Sequence, residues 1–241
     1  STARTAWMIR FSGEVELIKE YTTKKYTRFR KTLRYTTRMS RNKIGYFGGT
    51  FDPPHIGHLI LASEAAYQFN LSRLFWVLTP NPPHKQEHTI TPLEHRLMML
   101  QSMLADNPIF EISYLEIDRP GPHYAIDTVR LLAEKDPSAD IILLIGGDSL
   151  SDLPNWRFSS DLVTAVSKIG VMRRPGDLSN LAEIEAKLPA ITKKITFIDA
   201  LLQPVSSREL RRRIAAGEVY RYYVPPSVYD YIESHHLYRG K

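Results

Sequence analysis

From Ile44 onward the chain alternates short runs rich in β-branched and aromatic residues with amphipathic stretches of helix length, and that alternation admits few folds. Strands are expected near 44–48, 74–79, 109–115, 141–145, 168–172 and 195–199. Helices are expected near 57–69, 92–105, 123–135, 156–166 and 179–188, with two more near 206–216 and 226–236 closing the chain. A strand followed by a helix and another strand is the pattern of a parallel sheet covered on both faces. The fold class is therefore α/β: a doubly wound parallel sheet flanked by helices, with a C-terminal helical portion. In such sheets ligands sit beyond the carboxyl ends of the strands, where the strand order reverses. Functional residues should follow strands.

Two domains of unequal kind are expected, residues 1–43 and residues 44–241. Residues 1–43 carry 12 Lys and Arg against 3 Glu, whereas residues 44–241 carry 20 Lys and Arg against 23 Asp and Glu. The positive charge of the whole chain thus belongs to the leading segment. That segment shows no sustained apolar period and reads as a disordered or non-native extension, with a functional arm or a targeting segment as alternatives. Met39, five residues before the first expected strand, is where a self-contained domain would start. No run approaches the ~20 apolar residues of a membrane-spanning helix. The chain has no cysteine, which excludes disulfides, thiolate metal sites and thiol catalysis and fits a reducing cytoplasm.

The segment Gly45-Tyr-Phe-Gly-Gly-Thr-Phe-Asp-Pro-Pro-His-Ile-Gly-His58 follows the first expected strand and opens a helix. Gly48 and Gly49 let the backbone approach an anion, and the following helix aims its free N–H groups and positive dipole end at the same place. The segment lacks the lysine of a P-loop and the spacing of a dinucleotide fingerprint. His55 and His58, three apart, fall on one side of the first helical turn. Either imidazole can stabilise charge on a transferring phosphoryl group. A metal reading of the pair needs further ligands that the neighbouring sequence does not supply.

This segment resembles the signature of the nucleotidyltransferase superfamily, whose H-x-G-H motif binds ATP phosphates on a Rossmann-like sheet. Four further segments extend the resemblance, over nearly all of residues 44–241, to the bacterial nicotinate-nucleotide adenylyltransferases. Thr79-Pro-Asn-Pro-Pro-His-Lys-Gln86 is similar to that family's loop ending in Pro-Pro-His-Lys. Pro122-His-Tyr-Ala-Ile-Asp-Thr128 resembles its tyrosine element beside the pyridine ring. Ile145-Gly-Gly-Asp-Ser-Leu150 with Trp156 resembles its acceptor-nucleoside segment, and Val205-Ser-Ser-Arg-Glu-Leu-Arg211 its closing signature. The resemblance implies ATP binding by Gly48, Gly49, Thr50, Phe51, His55, His58, Ser206, Ser207 and Arg211, with His55 and His58 as the catalytic pair. It implies nicotinate-nucleotide binding by Asn81, Lys85, Tyr124, Thr128, Gly146, Asp148 and Trp156; Arg174, just past the fifth expected strand, is a further candidate for a phosphate at the same sheet edge, with a solvated loop arginine as the alternative. Ser206 is also a good helix N-cap on its own chemistry, and Trp156 offers a flat face to an electron-poor ring. Arg208 stands where many members have Thr, and Arg212 and Arg213 read as a solvated basic face.

The implied reaction transfers the adenylyl group of ATP to nicotinate mononucleotide in NAD biosynthesis. Mg²⁺ is expected to come with ATP, held mainly through phosphates and with no protein metal site. ATP and nicotinate mononucleotide are the expected partners, with no nucleic acid or membrane, and a homo-oligomer stays open. Pantetheine-phosphate adenylyltransferases and cytidylyltransferases lack the Pro-Pro-His-Lys and Gly-Gly-Asp-Ser-Leu elements. A nicotinamide mononucleotide preference differs by one charge and a few hydrogen bonds and stays open too. The non-enzyme alternative is nucleic-acid binding through the basic arm.

Overall fold

The computed structural model of the protein describes residues 42–81, 90–105, 107–173, 180–201 and 204–239. The leading segment up to residue 41, Lys85 and Arg174 lie outside the described residues. Six strands form one sheet: β1 (Lys43–Gly49), β2 (Arg73–Leu78), β3 (Phe110–Ser113), β4 (Asp140–Gly146), β5 (Lys168–Met172) and β6 (Ile195–Phe197). All pairs are parallel and the order is β3-β2-β1-β4-β5-β6. The order reverses between β1 and β4, so the crevice at their carboxyl ends is the place this topology reserves for a ligand.

The helices are α1 (Ile56–Phe69), α2 (Leu93–Leu104), α3 (Ala125–Lys135), α4 (Gly147–Asp152), α5 (Ser159–Ala165), α6 (Leu181–Lys187), α7 (Ser207–Ala215) and α8 (Pro226–Ser234). Alternation along the strands sends neighbouring side chains to opposite cores. Phe47, Leu74, Trp76, Ile142 and Leu144 pack under α1, α2, α7 and α8. Tyr46, Val77, Ile141, Leu143 and Ile145 pack under α3, α5 and α6. The C-terminal portion is anchored in the first of these cores through Tyr220, Val224, Val228 and Ile232.

Three local differences from expectation have physical causes. β1 starts at Lys43, one residue before the expected strand, and just ahead of it the Asn42 carbonyl accepts from the Asp140 N–H at 2.8 Å. The helix expected from residue 156 begins only at Ser159, because Leu153–Asn155 form a 3-10 turn around Pro154 and Phe158 takes a left-handed conformation, φ 60°. α4 was not anticipated: at six residues it is too short to show a helical period.

The loops that follow β1 and β2 are held by one side chain. Arg96 of α2 is 2% exposed, and its guanidinium donates from NH1 to the carbonyls of Thr50 (3.1 Å) and Thr79 (2.9 Å), from NH2 to Pro80 (2.8 Å) and from Nε to Thr91 (2.8 Å). Burial pulls its pKa below the ordinary arginine value, and the charge of Asp52 opposes that shift. Arg96→Met should destabilise the fold by about 3–5 kcal/mol, because it removes the donor from four carbonyls and the cation nearest the buried Asp52 carboxylate. Chemical denaturation of the two proteins, compared at equal m-value, measures it.

Candidate active site

A cavity of about 1030 Å³ opens at the reversal point, large enough for more than one small ligand. Four helices begin on its wall: α1 at Gly57 and His58, α3 at Tyr124 and Ala125, α4 at Gly146 and Asp148, and α7 at Ser207 and Arg208. This convergence follows from the topology, since every helix that follows a parallel strand starts at the same sheet edge. Their positive dipole ends, with Arg157, Arg208 and Arg211, favour an anionic occupant.

Its floor is the loop from Gly48 to His58. Phe51 holds a left-handed backbone, φ 45°, and its ring is 2% exposed, packed edge-on to Phe47 at 5.4 Å and near Trp76 at 5.4 Å. A Cβ on Gly49 would lie 2.9 Å from that ring, so this glycine makes room for Phe51. Phe51 can thus offer the cavity its backbone, whereas its side chain belongs to the core.

The two histidines of the loop are organised by each other. His55 is the N-cap of α1, 2% exposed, and its ring stacks on that of His58 with centroids 3.7 Å apart. The His55 backbone N–H donates to Nδ1 of His58 at 3.2 Å. Nδ1 is therefore the acceptor, which leaves the His58 proton on Nε2 as a donor. Two full positive charges at the stacking distance would repel by about 4 kcal/mol at a surface-like dielectric. The stack therefore disfavours a second positive charge on the pair. Gly57 keeps the stack in place: a Cβ there would meet the His55 ring at 3.1 Å.

α7 closes the same end of the cavity. The Ser206 side chain accepts from the Glu209 N–H at 3.2 Å, as its N-cap position requires. Ser207 Oγ donates to the Pro53 carbonyl at 2.9 Å and Arg211 NH1 to the Asp52 carbonyl at 2.6 Å. These two side chains therefore bind the closing segment to the histidine loop while lining the cavity. Arg208 lines it as well. Arg212 and Arg213 face away and are paired, Arg212 with Glu209 and Glu218 and Arg213 with Glu209.

At the other end stand Gly146, Asp148, Tyr124 and Trp156. The indole N–H of Trp156 donates to Asp152 at 3.2 Å, which fixes the ring from behind. A Cβ on Gly146 would meet no protein atom within 4 Å, so nothing in the protein's own packing demands glycine there. Thr128, expected on the cavity wall with Tyr124, is instead fully buried, with its hydroxyl donating to Glu116 at 2.7 Å. Four residues on from Tyr124, it lies behind the wall. Asn81 is exposed and is not among the lining residues.

Sequence reasoning missed Glu116 and His123, both buried and both on the wall. Glu116 also accepts from Tyr46 at 3.4 Å. Glu116 Oε2 and His123 Nδ1 are buried without a hydrogen-bond partner among the described residues, and burial and the Glu116 charge push the Tyr46 phenol well up. The only signal was His123 beside Tyr124, read as part of a tyrosine element rather than as a group of its own.

The cytidylyltransferase-like family matches residues 46–213. A protein of Thermomicrobium roseum named "probable nicotinate-nucleotide adenylyltransferase" is 41% identical over 198 residues, covering 82% of this chain and 92% of its own length. One of Roseiflexus with the same name is 40% identical over 201 residues, covering 83% of this chain and all of its own length. In three dimensions the chain is similar to the nicotinic acid mononucleotide adenylyltransferase of Plasmodium falciparum complexed with NaAD. The TM-score is 0.67 and the identity 19%, over 82% of this chain and 97% of the other. At that identity the likeness concerns the fold.

His123 gives the fold a pH dependence. Burial lowers its pKa, the Glu116 charge opposes the shift and the Arg119 charge adds to it. With the folded value below the unfolded one, about 6.5, the imidazole's contribution is present above the unfolded value and lost as pH falls through the folded one. Denaturant melts at stepped pH should show stability falling across that window, and less steeply in His123→Gln.

Proposed function

The chain belongs to the nicotinate-nucleotide adenylyltransferases of the cytidylyltransferase-like family, and from that premise we propose how its cavity carries out adenylyl transfer from ATP to nicotinate mononucleotide. The observation that carries the reading is the convergence of paired histidines and four helix N-termini on one cavity at the strand-order reversal. That cavity has a phosphate end, around His55, His58, Ser206, Ser207 and Arg211, and a nucleoside end, around Tyr124, Gly146, Asp148 and Trp156.

The chemistry needs no covalent intermediate. An oxygen of the acceptor's 5′-phosphate, already ionised at neutral pH, attacks the α-phosphorus of ATP as the bond to the β-phosphate oxygen breaks. Pyrophosphate leaves with that electron pair, and the new phosphoanhydride links the two nucleotides as deamido-NAD. A general base adds little here, so catalysis is positioning and charge stabilisation. His58 would donate from Nε2 to the triphosphate, and His55 would hold the His58 ring by stacking and through its own backbone N–H. Arg211 and the N-terminus of α7 would meet the same phosphates, and Gly48 and Gly49 the backbone side of the nucleotide. Trp156, braced by Asp152, would stack on the pyridine ring, and Asp148 would accept from ribose hydroxyls. The magnesium ion is read as part of the MgATP substrate, held mainly through phosphate oxygens and water.

Pyrophosphate release from MgATP, measured with nicotinate or nicotinamide mononucleotide as acceptor, tests the reading. Turnover should be faster with nicotinate mononucleotide, and release with neither acceptor would sink it. His58→Ala should lower kcat by roughly 10²-fold. An unchanged rate removes His58 from the chemistry.

Gly146→Ala separates binding from folding. The added methyl meets no protein atom, so stability should change by less than about 0.5 kcal/mol. It would project where the substrate must approach, and kcat/KM should fall by about tenfold. A full-rate alanine variant would move the nucleoside away from this strand end.

A further inference from the structure

Asp52 lies between the glycine pair of β1 and the histidines of α1 and is 5% exposed. A carboxylate this deep needs its oxygens answered. Oδ1 accepts from the Tyr238 hydroxyl at 2.7 Å, Oδ2 accepts from the Thr91 N–H at 3.3 Å, and Arg96 provides the opposing charge. Tyr238 comes from the far end of the chain, 186 residues on, in the segment after α8. Both ends of this link are held in left-handed backbone conformations, φ 63° at Tyr238 itself and φ 45° at Phe51 beside Asp52. Residues with side chains keep such conformations only where the surroundings hold them.

We propose that Tyr238 is a positioning residue for adenylyl transfer: by holding the Asp52 carboxylate, its hydroxyl sets the loop that aims His58 at the triphosphate. The inference rests on ATP being the nucleotide at that end of the cavity. The path from Asp52 to the histidines is short and stiff. Pro53 and Pro54, each with a fixed φ, are the only residues between Asp52 and His55. The His55 backbone N–H in turn orients the His58 ring through Nδ1, so a shift at Asp52 reaches the imidazole. The C-terminal portion grips the loop a second time, where the Ile56 N–H, first in α1, donates to the Tyr223 carbonyl at 3.1 Å. Burial and the Asp52 charge push the Tyr238 phenol above the ordinary tyrosine range, which favours the protonated hydroxyl that donates to Asp52.

The test compares the full chain with Tyr238→Phe, and uses Tyr231→Phe as the control. Tyr231 is in α8 and its hydroxyl meets Nδ1 of His95 at 3.0 Å, outside the cavity. MgATP affinity by calorimetry, kcat and both KM values, and thermal unfolding are measured on each. Tyr238→Phe should weaken MgATP binding and lower kcat, each by about tenfold, and leave the KM for the pyridine nucleotide unchanged. Tyr231→Phe should match the parent in all three. A Tyr238→Phe protein that melts lower yet binds MgATP and turns over like the parent would overturn the proposal alone, leaving the hydroxyl a structural role. A parent chain that does not bind MgATP would overturn the functional reading and this proposal with it.

Discussion

A single buried guanidinium sets the geometry on which the rest of this structure depends. In a parallel sheet the strand ends carry unpaired carbonyls, and the loops leaving them have no ladder to hold their shape. Arg96 takes the carbonyls of Thr50, Thr79, Pro80 and Thr91 in one planar fork, which ties the loop after β1 to the loop after β2. A buried charge is costly, and the four carbonyls answer this one directly while the nearby negative charge of Asp52 favours its charged form. Asp52 in turn draws in Tyr238 and Thr91 through its side chain and Arg211 through its carbonyl. The site floor is thus a polar cluster inside an apolar frame of Phe47, Phe51 and Trp76.

That floor explains why the cavity suits anions without a P-loop lysine. Parallel topology aims four helix N-termini at one edge of the sheet, and the His55–His58 stack adds a donor whose tautomer is fixed by a backbone bond. Ser207 and Arg211 join the closing segment to the histidine loop. A phosphate chain bound there would therefore meet both signature segments at once, although they are about 150 residues apart along the chain.

The strands of the sheet were readable because each is a short apolar run bounded by turn residues, and the period along β1 and β4 follows directly from their burial on two faces. His55, His58 and the Ser206 cap were readable because their chemistry is local: a helix N-terminus within three residues of a side chain that can serve it. Thr128 was misplaced for the converse reason. Helical spacing puts it on a face with Tyr124, but which part of that face meets the cavity depends on Glu116, which arrives from the turn after β3. Trp156 lines the cavity from a turn rather than from the expected helix, since Pro154 and the left-handed Phe158 interrupt the pattern.

What depends on near neighbours was legible in the sequence by itself: the β–α alternation, the leading segment's separate charge and the glycine-rich turn with its two histidines. Folding decided whatever depends on groups brought together from afar. Arg96 reads in sequence as one more charged helix residue, Asp52 as a turn former and Tyr238 as a tail aromatic. Each acquires its role only when desolvation makes an unanswered charge or hydroxyl expensive, and no spacing along the chain records which distant group will answer it.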